Sequence, residues 1–169
     1  KLQTYLTYIM IRNFMKNQLK EKKEFFHNNG FVVFENVLSK NELNKVRKKY
    51  KKIFQGHYET GVVPDKIKWI YGRDKSNVPR SVCNAWKSDY DVARVVLSKK
   101  IGKLVASLEN WNSTRLNQDS LIWVVPGAGS VAFHQDNPYQ DWHKPGKVIT
   151  AWIPLENTSK NGATLEYLV

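Results

Sequence analysis

The sequence predicts an α+β fold, helical in its first half and stranded in its second. Two patterns carry this reading. Apolar residues recur at helical spacing as far as about Asn110. From Arg115 onward the period shortens to that of strands, and Gly, Pro and Asn turns divide the segments. A third observation sets the organisation. No internal repeat or low-complexity linker interrupts the 169 residues, so they read as a single domain, 1–169. Its helical part extends to about 112 and its strands occupy about 113–169. A chain of this length buries a real core without staples. Its 41% hydrophobic and 12% aromatic content is that of an ordered globular protein.

Each element has a local reason. "KNQLKEKKEFFHNNG" is a helix closed by Asn29-Gly30, a residue pair suited to a C-terminal stop. "FVVFENVL" is apolar and β-branched, and is expected to form a strand. Ser39 and Glu42 then form a capping box, with Leu38 and Leu43 placed as its hydrophobic staple. Leu43, Val46, Tyr50, Ile53 and Phe54 continue the helical stripe until Gly56 ends it. Residues 57–87 are rich in Gly, Pro, Asp and Asn, and read as a long irregular segment. "SDYDVARVVLSKKIGKLVASLEN" resumes helical periodicity as two short helices meeting near Ser98. "RLNQDSLIWVVPG", "SVAFHQD", "VITAWIPLE" and "ATLEYLV" are the strands of an antiparallel sheet or barrel.

Composition excludes several classes of function. Cys83 is the single cysteine, so there is no internal disulfide and no thiolate cluster. No apolar run is long enough to span a membrane. The start has no signal-peptide pattern, so the cytoplasm is the expected compartment, with an organelle as the alternative. The chain begins without Met and stops on "EYLV", which suggests that both ends are cut. The net charge of +12 is concentrated in residues 1–52, which hold 13 Lys/Arg against 4 Asp/Glu. Seven of these cations lie between Lys40 and Lys52, mainly off the apolar stripe, as on a solvated helix face. No nucleic-acid-binding motif accompanies them, so a nucleic-acid partner is not expected.

The residues that carry chemistry lie in "GSVAFHQDNPYQDWHKPG", 129–146. Residues two apart on a strand share a face, so His134 and Asp136 project together, with Gln135 turned away. An imidazole and a carboxylate on one face supply two of the three ligands of a 2-His-1-carboxylate iron site. An ordinary polar loop has the same tripeptide, and spacing alone leaves both readings open.

Taken in order, "NGFVVFENVLSKNEL", "RLNQDSLIWVVPG", "FHQDNPY" and "VITAWIPLENTSKNGATLEY" resemble the phytanoyl-CoA dioxygenase family, from about Lys16 to the last residue. The most specific parts are the His-Gln-Asp with its Pro-Gly lead-in and "AWIPLENTSKNGATLE". The resemblance implies a double-stranded β-helix (a jelly-roll, cupin-like core) wrapped by N-terminal helices. It implies Fe(II) held by His134 and Asp136, with 2-oxoglutarate as cosubstrate and O2 as oxidant, in the hydroxylation of a small-molecule substrate. Halogenating relatives replace the carboxylate with a small residue, so Asp136 implies a hydroxylase. In the family a Gly-Ser-His turn, a distal His ligand and a 2-oxoglutarate-binding Arg come later, and residues 1–169 contain none of them.

Other positions keep two readings. Trp152 matches a position beside the cosubstrate, or packs in the core. Tyr139 and Trp142 lie in the expected substrate loop, or form a lid on the barrel rim. His143, in the same loop, is a makeshift third ligand or a loop residue. Relatives often carry a polar residue, commonly Lys, before the Pro-Gly turn, where this chain has Val124 and Val125. Gln118 and Asp119 face either the core or the site. The alternative functions are a basic jelly-roll binding module without catalysis and an oxygenase acting on nucleic acid.

Overall fold

The structure, a computed structural model, describes residues 18–129, 131–136, 146–160 and 162–168. Residues 18–29 form helix α1. Gly30 ends it with φ 78°, a left-handed conformation that glycine adopts without a Cβ penalty, and its N–H bonds Phe26 O at 2.8 Å. Helix α2 spans Lys40–Phe54 and starts at the predicted capping box. Ser39 Oγ accepts from the Glu42 N–H at 3.2 Å, and Glu42 Oε2 accepts from the Ser39 N–H at 2.7 Å. The Ser39 hydroxyl also donates to Glu42 Oε2 at 2.6 Å, and this bond, with that from the Ser39 N–H, holds the Glu42 carboxyl below its ordinary range. The helix buries Val46, Ile53 and Phe54, which lie on one face at the spacing expected from the sequence.

That face packs on a three-stranded antiparallel sheet. Its strands are β1 (Lys66–Ile67), β2 (Arg80–Cys83) and β3 (Ser120–Trp123), in that order across the sheet. The register pairs Arg80 with Trp123 and Val82 with Leu121. Alternation follows from the pleat: Val82 and Leu121 are buried in the core, whereas Ile122 points to solvent. Val82, Ile53, Phe54 and Trp69 form the centre of the core, and each buried side chain of this size contributes about 1.5–3 kcal/mol. The Arg80 guanidinium lies between the rings of Trp69 and Trp123, 4.0 and 4.1 Å from their centroids, so its charge enters the cluster on aromatic faces.

A 3-10 turn, Ala85–Lys87, leads to helices α3 (Tyr90–Val96) and α4 (Lys99–Leu108), which meet at Ser98 as the periodicity predicts. Buried Asp89 caps α3 by accepting from the N–H groups of Asp91 and Val92 at 2.9 and 3.1 Å. Lys49 approaches that carboxylate from α2 at 3.9 Å and bonds Glu59 at 3.0 Å. His27 ties α1 to the end of α4 through Nε2 and Leu108 O at 3.0 Å.

Three expectations need correction. Strands β1 and β2 lie inside 57–87, a stretch whose turn residues conceal two short extended runs. The expected strand at 31–38 is irregular. Its backbone enters no ladder, Asn36 has a positive φ of 56°, and Val33 is exposed. Phe31 is held instead by stacking on Tyr167, with centroids 4.5 Å apart. The described parts of the segments after β3 are likewise outside any ladder. A strand is stable only when neighbours satisfy its backbone groups, and the described residues provide none for these segments.

Candidate functional site

Beyond β3 the chain turns at Val125–Ala128, where the Ala128 N–H bonds Val125 O at 3.1 Å. Pro126 and Gly127, the latter at φ 79°, suit the central positions of a type II turn. The turn leads directly into 131–136.

There the structure brings His134 and Asp136 together. His134 Nε2 lies 3.3 Å from Asp136 Oδ1, and both side chains are a little under half exposed. His134 Nδ1 lies 2.8 Å from the Ala132 carbonyl oxygen. A carbonyl only accepts, so Nδ1 carries the proton and Nε2 is directed at the carboxylate. The other carboxylate oxygen, Asp136 Oδ2, accepts from the Thr150 hydroxyl at 2.9 Å. Each of the two side chains is thus oriented by a partner behind it. Imidazole and carboxylate ligands of metal ions are characteristically supported in this way.

The donor set suits a divalent cation. Two donors bound cis to one ion through bonds of about 2.1 Å stand about 3 Å apart, close to the spacing seen here. Among the described residues no cluster brings three His, Cys, Asp or Glu side chains together, so these contribute a pair and not a complete ligand set.

The remaining predicted positions separate. Trp152 is 42% exposed, while Ile153 and Leu155 pack against the core cluster, so Trp152 is not a core residue. Tyr139, Trp142 and His143 lie outside the described residues. Val124 is exposed. Gln118 is exposed, whereas Asp119 faces inward. There it accepts from the Trp86 N–H at 3.2 Å, while its own N–H donates to Asn84 Oδ1 at 3.3 Å. Burial pushes the Asp119 carboxyl above its ordinary range, and the hydrogen bonds from the backbone N–H groups of Trp86 and Ala85 oppose that rise.

Sequence reasoning missed Thr150. Its signal is modest but present: it precedes Trp152 by two residues in "VITAW", so a strand reading places both on one face.

The family model described as phytanoyl-CoA dioxygenase matches residues 26–167. The chain belongs to the phytanoyl-CoA dioxygenase family. Members of this family are Fe(II)- and 2-oxoglutarate-dependent oxygenases. A mouse (Mus musculus) protein named "Phytanoyl-CoA dioxygenase, peroxisomal" is 24% identical over 155 residues, which is 88% of this chain and 46% of the relative. The chain therefore spans about half the length of that relative. No solved structure matches it. No described helix is long and apolar enough to cross a membrane.

Proposed function

We propose that this chain carries the iron-binding pair of an Fe(II)- and 2-oxoglutarate-dependent dioxygenase that hydroxylates a small organic substrate. One observation carries the reading: His134 Nε2 and Asp136 Oδ1 stand 3.3 Å apart with their outer atoms held by Ala132 O and Thr150 Oγ1. His134 and Asp136 are the residues that would hold Fe(II). With 2-oxoglutarate as cosubstrate, bound iron supplies the oxidation of a C–H bond by O2, giving the alcohol, succinate and CO2.

The residues of this chain hold and orient. The Ala132 carbonyl keeps the proton on Nδ1, which leaves the Nε2 lone pair for the metal. Thr150 fixes one carboxylate oxygen and so aims the other at the same point. The carboxylate of Asp136 keeps an anionic ligand at a position that a halogenating enzyme needs vacant, which favours hydroxylation. A double-stranded β-helix is the architecture we propose for the whole protein, with the strands after β3 paired in it. We assign Trp152 to the cosubstrate side, in keeping with its exposure, and Tyr139 and Trp142 to the substrate loop. The name of the mouse relative adds the peroxisome to the cytoplasm as a candidate compartment.

The test is succinate release from 2-oxoglutarate with Fe(II) and ascorbate, in the longest reading frame that contains this chain. Turnover in the wild type that vanishes in Asp136→Ala supports the reading. Undiminished turnover in the variant removes Asp136 from the site, and no turnover in either leaves the non-catalytic binding module as the better account.

A further inference from the structure

A shallow cavity of about 360 Å³ opens on the side of the fold where the 3-10 turn after β2 meets the approach to β3. None of its lining residues belongs to the iron-binding pair. One wall is apolar, formed by Trp86, Leu97 and Leu116, and Leu97 is 51% exposed at the end of α3. The polar lining includes Lys87 and Arg115, and among the described residues no carboxylate lines the cavity.

The two cations differ. Lys87 Nζ is held by both oxygens of Asp65, at 2.7 and 2.8 Å, so its charge is largely answered. Arg115 is exposed and has no hydrogen-bond or ion-pair partner among the described residues. A guanidinium presents a planar fork of donors suited to a carboxylate or phosphate. The wall beside it is built in advance. Asn84 sits in the left-handed region at φ 57°, its N–H bonds Asp119 O at 2.9 Å, and its side chain donates to Asp65 at 2.7 Å. The Trp86 N–H is tied to the Asp119 carboxylate at 3.2 Å. A wall held by this many bonds loses little freedom when a ligand arrives.

We propose that this cavity binds a planar organic anion, with its carboxylate or phosphate on Arg115 and its ring system against Trp86 and Leu97. A volume of this size suits one ring system with a single anionic group. The assignment is independent of the iron site.

The experiment follows the Trp86 indole N–H resonance in two-dimensional NMR of the whole chain during titration. The probes are adenosine 5′-monophosphate, 2-naphthoate, inorganic phosphate and adenosine, each taken to about 2 mM, a range that captures weak sites. Saturable shifts with either ring-bearing anion, larger than with phosphate or adenosine alone, are expected. The better of the two anions identifies the head group. Arg115→Gln should weaken that binding roughly tenfold, the loss of one charge-assisted hydrogen-bonding group, and Arg115→Lys should recover part of it. Among the described residues Arg115 is exposed and makes no hydrogen bond or ion pair, so both variants should keep the wild-type spectrum elsewhere. Saturation by neither anion, or equal affinity in Arg115→Gln, overturns the proposal.

Discussion

Replacing Thr150 with Val isolates the support behind the iron-binding pair. The substitution keeps the branched shape and removes the hydroxyl that donates to Asp136 Oδ2 at 2.9 Å. A hydrogen bond to a charged acceptor contributes about 1.5–3 kcal/mol. Asp136 is 46% exposed, so water replaces part of this, and the lower end of the range applies. A loss of about 1.4 kcal/mol is tenfold in affinity, at the bottom of the 10–100-fold span typical of residues that orient metal ligands. Thr150 is itself exposed, so the unfolding midpoint should barely move. The assay is anaerobic calorimetric titration with Co(II) in place of Fe(II), comparing wild type, Thr150→Val and Thr150→Ser. Serine restores a hydroxyl and should recover most of the loss. Equal affinity in the wild type and the valine variant would refute the reasoning, and so would a serine variant no better than valine.

Three further outcomes follow from the fold. Val82→Ala removes two methyl groups from the fully buried centre of β2 and should cost about 2–3 kcal/mol in urea unfolding, transfer and cavity contributions together. Lys45, Lys48 and Lys52 lie on the exposed face of α2, so reversing each to Glu should change stability by less than about 0.5 kcal/mol. A rise in KM that disappears at high salt would show instead that this face steers an anionic substrate. Burial raises the Asp119 carboxyl above its ordinary value of 3.8, so the stability it contributes is complete below that value and is lost as pH rises through the folded-state pKa. Asp119→Asn keeps an acceptor for Trp86 without ionising, so its unfolding midpoint should gain on the wild type as pH rises through that window; parallel profiles would contradict this.

Local chemistry made part of this fold legible in the sequence. The capping box at Ser39 and Glu42, the Gly30 stop and the junction at Ser98 depend on residues within one helical turn of each other, and all three appear as expected. Strand β3 was also readable, because "SLIW" is β-rich and stands just before a Pro-Gly turn. Its partners were not. The four residues of β2 sit among turn formers, and pairing with β1 and β3 together with packing of Val82 under α2 makes them a strand. At 31–38 the error ran the other way, since β-branched content suggested a strand that no neighbour completes. In the candidate site, the two-residue spacing of His134 and Asp136 was visible in the sequence, although 131–136 enters no ladder and the strand expected there is not what brings them together. Thr150 left only a modest signal, because it reaches Asp136 across 14 residues of chain. Asp119 was open in sequence, and its inward orientation follows from the left-handed turn at Asn84.

The most direct measurement of the central claim is where a paramagnetic ion binds. Fe(II) added anaerobically to the isotope-labelled chain should broaden the NMR signals of His134, Asp136 and Thr150 first, at sub-stoichiometric metal. In Asp136→Ala that selective broadening should be lost while the rest of the spectrum is preserved. Broadening centred on other residues, or unchanged by the substitution, would contradict the assignment of His134 and Asp136 as the iron-binding pair.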